Sequence, residues 1–201
     1  MTKSRLEAFS DGVFAIIITI MVLEMRAPAG ADLDSLRPVL PALLSYALSF
    51  IYVGIYWSNH HHVFNGVEQV SGMTLWANLH LLFWLSLAPF VTSWVGRSNF
   101  SSWPVIAYGF IFLMCAVAWD IERRVLLAIH NPDSALARAM GSNLKEWVSM
   151  SIYVLAIGTA FISPVISCTL YCLVAVIWFI PDRRIERELA NLERQQSNSL
   201  G

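Results

Sequence analysis

Three stretches of the chain bring polar side chains into apolar surroundings. Ser10 and Asp11 stand where one apolar run begins, Trp57-Ser58-Asn59-His60-His61-His62 closes a second, and Asn78 and His80 lie early in a third. Together they offer hydroxyl, carboxylate, amide, imidazole and indole N–H groups. Such groups can form a hydrogen-bonded network, a metal site, a proton relay or a catalytic pair, and spacing separates these. Consecutive histidines on a helix point about 100° apart, whereas ligands sharing one helix face prefer i, i+4 spacing. His60, His61 and His62 therefore cannot all reach one ion, and no metal site is expected. A pH-sensing role is open to any histidine, but nothing in the pattern shows one. A hydrolase needs a nucleophile beside a base; there is no GxSxG, no HExxH and no Ser/Lys pair inside an apolar run. The expectation is no catalytic residue and no cofactor. An ionisable residue such as Asp11 within a membrane span normally finds a partner, and a fully satisfied network would lock helices together.

The elements that hold these residues follow from where charge is missing. The 201 residues are 57% hydrophobic and 13% charged, with a mean hydropathy of +0.59. A soluble domain carries about 25% charged residues, so a polytopic membrane protein is the class expected. Three cysteines argue against a disulfide scaffold, and 13 Lys and Arg against 14 Asp and Glu argue against a nucleic-acid binder. No Asp, Glu, Lys or Arg occurs in 38–67, 69–96, 98–119 or 147–181. A bilayer core of about 30 Å needs about 20 helical residues, so the first three gaps fit one helix each. The fourth would make a single helix of about 52 Å, too long for one span, and Pro164 marks a break near its middle. The first segment is bracketed by Asp11 and Glu24 and spans only if it runs from near Ser4 to near Met25. A signal peptide is the competing reading, disfavoured by Glu7, Asp11 and a poor cleavage site after Met25.

The sequence thus predicts an all-α integral membrane protein, one domain with six transmembrane helices at about 5–25, 39–62, 72–95, 103–123, 147–163 and 165–181, and a charged tail at 182–201. Basic residues prefer the cytoplasmic side. With the N-terminus inside, Lys3, Arg5, Arg123, Arg124, Arg138, Lys145, Arg183, Arg184, Arg187 and Arg194 lie inside, and Arg26, Arg37 and Arg97 outside. Both termini are then cytoplasmic. That topology brings the end of the second helix, the start of the third and Ser10–Asp11 to one membrane layer. Asp120 and Glu122 read as interfacial charges beside their counter-ions Arg123 and Arg124. Glu24, Asp32 and Asp34 read as solvated charges near the outer surface, and the three cysteines as small core residues.

The first helix has two kinds of face. At 100° per residue Ile16, Ile20 and Leu23 share a narrow stripe, with Thr19 on its edge and Gly12 and Phe9 continuing it inward. Ser10 and Asp11 fall on roughly the opposite side. Periodicity alone reads an aliphatic stripe as facing lipid or neighbouring helices.

The segment Arg5-Leu-Glu-Ala-Phe9-Ser10-Asp11-Gly-Val-Phe-Ala-Ile-Ile-Ile-Thr19 adds to that. An RxxxFSD pattern opening a first membrane helix resembles the transmembrane protein 175 family of potassium channels. The likeness continues through Trp57, Asn59, His60 and His61, then Asn78-Leu-His-Leu-Leu-Phe and Ala88-Pro89-Phe. It covers about the first 95 residues by motif. The resemblance implies the single-unit bacterial type, a homotetramer around a central pore lined by helix 1. It implies that Ile16, Ile20 and Leu23 form a hydrophobic constriction and Thr19 a hydroxyl layer favouring potassium. It implies that Arg5, Phe9, Ser10 and Asp11 form a structural network with Trp57, Asn59, His60, His61 and Asn78. Ala15 stands where some members carry Ser, so a second hydroxyl layer is absent. No TVGYG filter occurs.

The expected function is a potassium-preferring cation channel in the cell membrane of a bacterium or archaeon. Its partners would be potassium ions, other monovalent cations more weakly, the lipid bilayer and further copies of itself, with no nucleic acid. The alternatives are a proton-coupled secondary transporter using Asp11 and the histidines, and a metal-dependent intramembrane enzyme.

Overall fold

Inside lipid a backbone without water must satisfy its own N–H and C=O groups, and an apolar run does so as a helix. The computed structural model describes residues 2–131, 134–140 and 143–179, and every regular element among them is helical. They are α1 (Lys3–Leu23), a 3-10 turn (Leu33–Val39), α2 (Leu40–Asn65), α3 (Gly72–Ser86), α4 (Ala88–Arg97), α5 (Ser102–Ile129), α6 (Ala135–Met140), α7 (Leu144–Thr159) and α8 (Pro164–Phe179). Lys3–Leu23, Leu33–Asn65, Gly72–Arg97 and Ser102–Ile129 are long and apolar enough to cross a membrane. α7 and α8 have 16 residues each, about 24 Å of helix. The charged tail at 182–201 lies outside the described residues.

Local chemistry sets several ends. Ser71 and Thr74 make a reciprocal capping box that starts α3. The Asp32 side chain accepts from the Ser35 N–H and starts the 3-10 turn. Pro164 opens α8, where its missing N–H costs nothing.

Three extents differ from the charge-gap reading. The third apolar stretch is two helices joined at Leu87, because Pro89 has no N–H to give and its ring crowds the preceding turn. The next helix runs on to Ile129 past Arg123 and Arg124. Arg124 folds back to Asp120 one turn earlier, at 2.7 Å, and Arg123 turns into the protein toward Glu146 on α7. Arg123 is thus buried, while Arg124 keeps an exposed side chain beside its local counter-ion. The short α6 was not anticipated.

The core runs through α1, α2, α3, α4, α5, α7 and α8. Tyr52 stacks on Phe112 at 4.5 Å and donates to the Tyr171 carbonyl at 2.6 Å, and Tyr108 and Tyr153 pack around them. Two glycines permit the closeness. A Cβ on Gly96 would meet the α2 backbone at Ala42, and one on Gly109 would run into the Tyr171 hydroxyl. Buried polar atoms here are paired: Thr92 donates to Ser49 at 2.7 Å, and Ser49 to the Tyr108 hydroxyl at 3.1 Å. Of the cysteines, Cys115 is buried, Cys168 half-buried and Cys172 exposed. The core reading thus holds for Cys115 and fails for Cys172, because α8 turns Tyr171, Val174 and Ala175 inward and leaves Cys172 on its exposed side.

Candidate functional site

α1 divides cleanly. Leu6, Ser10, Phe14, Ile17 and Met21 recur every three or four residues and are all buried. On the other side Ile16 is 56% exposed, Ile20 42% and Leu23 79%. Thr19 shares that open side, its hydroxyl donating to the Ile16 carbonyl of its own helix at 2.9 Å. The protomer therefore leaves uncovered an aliphatic stripe with one hydroxyl beside it.

The buried face is held toward its N-terminal end by a neutral network. The Ser10 hydroxyl donates to the Leu6 carbonyl at 3.0 Å and accepts from Nδ2 of Asn78 at 3.0 Å. Oδ1 of Asn78 lies 3.0 Å from Nε2 of His60. In this arrangement His60 donates from Nε2, a tautomer assigned from the partners. Ser10, Asn78 and His60 are all fully buried. Phe14 meets the His60 ring edge-on at 5.7 Å and Phe64 stacks on it at 4.3 Å. A hydroxyl, an amide and an imidazole from α1, α3 and α2 thus satisfy one another inside an apolar wall. A second contact lies at the rim, where the Trp57 indole N–H donates to Asp11 at 3.0 Å and stacks beside His61.

The expected network is thus brought together in part. Ser10, Asn78 and His60 form one group; Asp11, Trp57 and His61 form another. Arg5 and Phe9 point outward from the protomer, with no hydrogen bond to Arg5 among the described residues. Asn59 faces the other way, into a small cavity with Tyr56, Glu146 and Ser149. The reason is angular: neighbours on a helix point 100° apart, so Asn59 cannot share the side taken by His60, nor Phe9 that taken by Ser10. His80 accepts from Trp84 at 2.9 Å on its own helix and stays out of both groups.

The C-terminal end of α1 carries a contact that sequence reading missed. Glu24 follows the helix and pairs with Arg97 at the end of α4 at 2.9 Å, and the Ser93 hydroxyl donates to the same carboxylate at 3.2 Å. Arg97 also reaches the Glu24 carbonyl at 3.4 Å. The signal was present: two opposite charges, each at the outer edge of a charge-free run. Between α1 and α4, below this pair, runs a groove of about 600 Å³ lined by Val13, Ile16, Ile20, Pro89, Phe90 and Trp94.

Charges toward the C-terminal end of α5 also depart from expectation. Asp120 has its local counter-ion in Arg124. Glu122 has none among the described residues: it is fully buried, and neither carboxyl oxygen has a hydrogen-bond partner there. An i−4 or i+4 cation was needed for local pairing, and Ala118 and Leu126 stand there instead.

Comparison with known proteins places this architecture. A family profile described as the endosomal/lysosomal potassium channel TMEM175 matches residues 5–89, the segment holding α1, the Ser10–Asn78–His60 group and the Pro89 break. A potassium channel of Chryseobacterium sp. is 55% identical over 189 residues, covering 94% of this chain and 98% of that one. The chain belongs to the TMEM175 family. It is therefore an ion channel of the membrane-spanning, multi-pass kind and not an enzyme. The fold agrees: a crystal structure of a lysosomal potassium-selective channel TMEM175 homolog from Chamaesiphon minutus superposes with a TM-score of 0.72 at 26% identity, covering 89% of this chain and 96% of that one. A human relative, described as the endosomal/lysosomal proton channel TMEM175, is 34% identical over 96 residues, 41% of this chain and 19% of that longer one.

Proposed function

We propose that four copies of the chain surround a central pore lined by the open face of α1, and that the pore passes potassium in preference to other monovalent cations. In this reading Ile16, Ile20 and Leu23 of each copy form the constriction. The Thr19 hydroxyls form a layer beside them that offsets part of the cost of stripping water from the ion. Both termini face the cytoplasm, six helices cross the cell membrane, and Arg5, Phe9 and Asn59 support the pore helix from outside the two hydrogen-bonded groups. One observation carries the proposal: the conspicuous uncovered face of α1 is aliphatic at helical spacing, while its opposite face is locked into the protomer. Four such stripes around an axis make a narrow apolar tube that gates by dewetting. A closed ring is also the ordinary symmetry of a homo-oligomer.

The test is planar-bilayer recording of purified protein with potassium on one side and sodium on the other. The expected result is single-channel openings with a reversal potential displaced toward the potassium equilibrium value. A reversal potential near zero removes the preference, and slow saturable flux without openings favours a proton-coupled transporter instead. The human relative's description as a proton channel gives one further arm: a pH gradient in place of the ion gradient, where a dominant proton reversal potential would change the ion.

A further inference from the structure

Glu122 sits where a carboxylate is hardest to keep. It lies on α5 about seven residues from the inner end, or roughly 10 Å of helix. Its burial is 99% complete, and both oxygens lack a hydrogen-bond partner. One turn toward the membrane centre is Ala118, and one turn toward the cytoplasm is Leu126, both fully buried on the same face. Leu126 belongs to an apolar cluster with Leu6, Phe64, Val67 and Leu136. That cluster seats the base of α1, through Leu6, against α2, α5 and α6. The carboxyl thus lies above an apolar plug that also holds the candidate pore helix.

The charged groups around it are engaged elsewhere. On α5 itself, Arg123 faces Glu146 at 3.8 Å and the Met140 carbonyl, Arg124 binds Asp120, and His130 contacts the Leu126 carbonyl and the Glu68 N–H. The elements packed against α5 are α2, through Tyr52 on Phe112 and Tyr56 beside Trp119, and α3, α4, α6, α7 and α8. On α3, His80 is bonded to Trp84; on α4, Arg97 pairs with Glu24 at the opposite end. On α7, Glu146 faces Arg123 and Lys145 lies beside it in sequence; on α8, Tyr171 bonds the Val105 carbonyl. The Arg138 side chain on α6 lies outside the described residues. On nearby α2, His60 is bonded to Asn78, and His61 and His62 are ring neighbours at the surface. An ionised carboxylate with no partner in an apolar wall costs several kcal/mol, and such a group takes up a proton instead.

We propose that Glu122 is a proton-binding site whose occupancy couples cytoplasmic pH to the seating of α1. With the proton bound, the neutral carboxyl is tolerated and the Leu6–Phe64–Leu126–Leu136 plug stays closed. When the proton leaves to cytoplasmic water, the carboxylate draws water into that layer, the plug loosens and the base of α1 is freed. The coupling to current rests on the channel reading above; the proton itself does not.

The experiment therefore has two independent readouts on the full chain in bilayers, wild type against Glu122→Gln. The first is the infrared C=O stretch of a protonated carboxyl, followed between about pH 6 and pH 10, a range bracketing documented buried glutamates. The expected result is a band present at neutral pH in the wild type, lost at the alkaline end, and missing in Glu122→Gln. The same spectrum in both proteins at every pH overturns the site. The second is current as the inner solution is made alkaline. The wild type is expected to change about fivefold or more, and Glu122→Gln to stay flat. A wild-type current indifferent to inner pH, with the band present, overturns the coupling and leaves the proton. If no current flows in either protein, the channel reading fails while the infrared band still decides the site. Glu122→Gln keeps shape and neutrality, so its folded yield at neutral pH should match the wild type. A variant that no longer folds would mark an ionised, paired carboxylate and overturn the proposal.

Discussion

The two ends of α1 are fastened by opposite means. Toward the N-terminal end three fully buried neutral groups, Ser10, Asn78 and His60, satisfy one another across three helices. At the C-terminal end two charges, Glu24 and Arg97, meet with their side chains 47% and 54% exposed. Buried neutral bonds are sheltered from salt and expensive to leave half-made, since an orphaned partner keeps its full desolvation cost. An exposed ion pair is worth about 0–1 kcal/mol and weakens as salt rises. One end of the candidate pore helix is thus a fixed root, and the other a soft tether. A helix rooted at one end and tethered at the other can move most at the tethered end, where Ile20 and Leu23 lie.

The sharpest way to break this comparison is at the root. Asn78→Leu orphans His60, at a cost of about 1–3 kcal/mol, and leaves Ser10 only its bond to the Leu6 carbonyl. The expected outcome is loss of most folded protein, read as melting temperature and yield after detergent extraction. A variant with wild-type melting would mean the root holds nothing. Next in size is a pair of adjacent isoleucines. Ile17 is buried against the protomer core while Ile16 is open. Ile17→Ala should cost about 2–4 kcal/mol of stability. Ile16→Ala should leave melting nearly unchanged and raise single-channel conductance by widening an apolar constriction. If both behave alike, the division of α1 into two faces has no functional meaning. The smallest effect belongs to the tether. Arg97→Ala should change stability by about 1 kcal/mol or less, and high salt should reproduce it in the wild type. Its larger consequence should be in the open-time distribution; wild-type gating in the variant at low salt would show the outer end to be held by something else.

Much of this was legible beforehand. Charge-free runs located the helices, because a charge inside lipid is costly and its absence over about 20 residues is unusual in a soluble chain. Ser10, Asn78 and His60 could be placed in one layer by counting residues from the membrane edges. The split at Leu87 was also written in Pro89, though a Pro near a helix interior can equally bend a rod without ending it. Two things were not legible. Asn59 and His60 look equivalent in sequence, yet only His60 faces α1 and α3. Glu122 looks like one more interfacial acid beside two arginines, yet those arginines turn to Glu146 and Asp120.

The sequence by itself determined the solvent, the helices and the family, since each depends on composition along the chain or on a local motif. The tertiary structure decided which face of each helix is covered, which charges find partners, and which carboxyl is left without one. Helical period fixes the angles between side chains on one rod, but the direction in which the rod is turned depends on what packs against it. Glu24 and Arg97 stand 73 residues apart, and only the packing of α1 on α4 brings them to 2.9 Å.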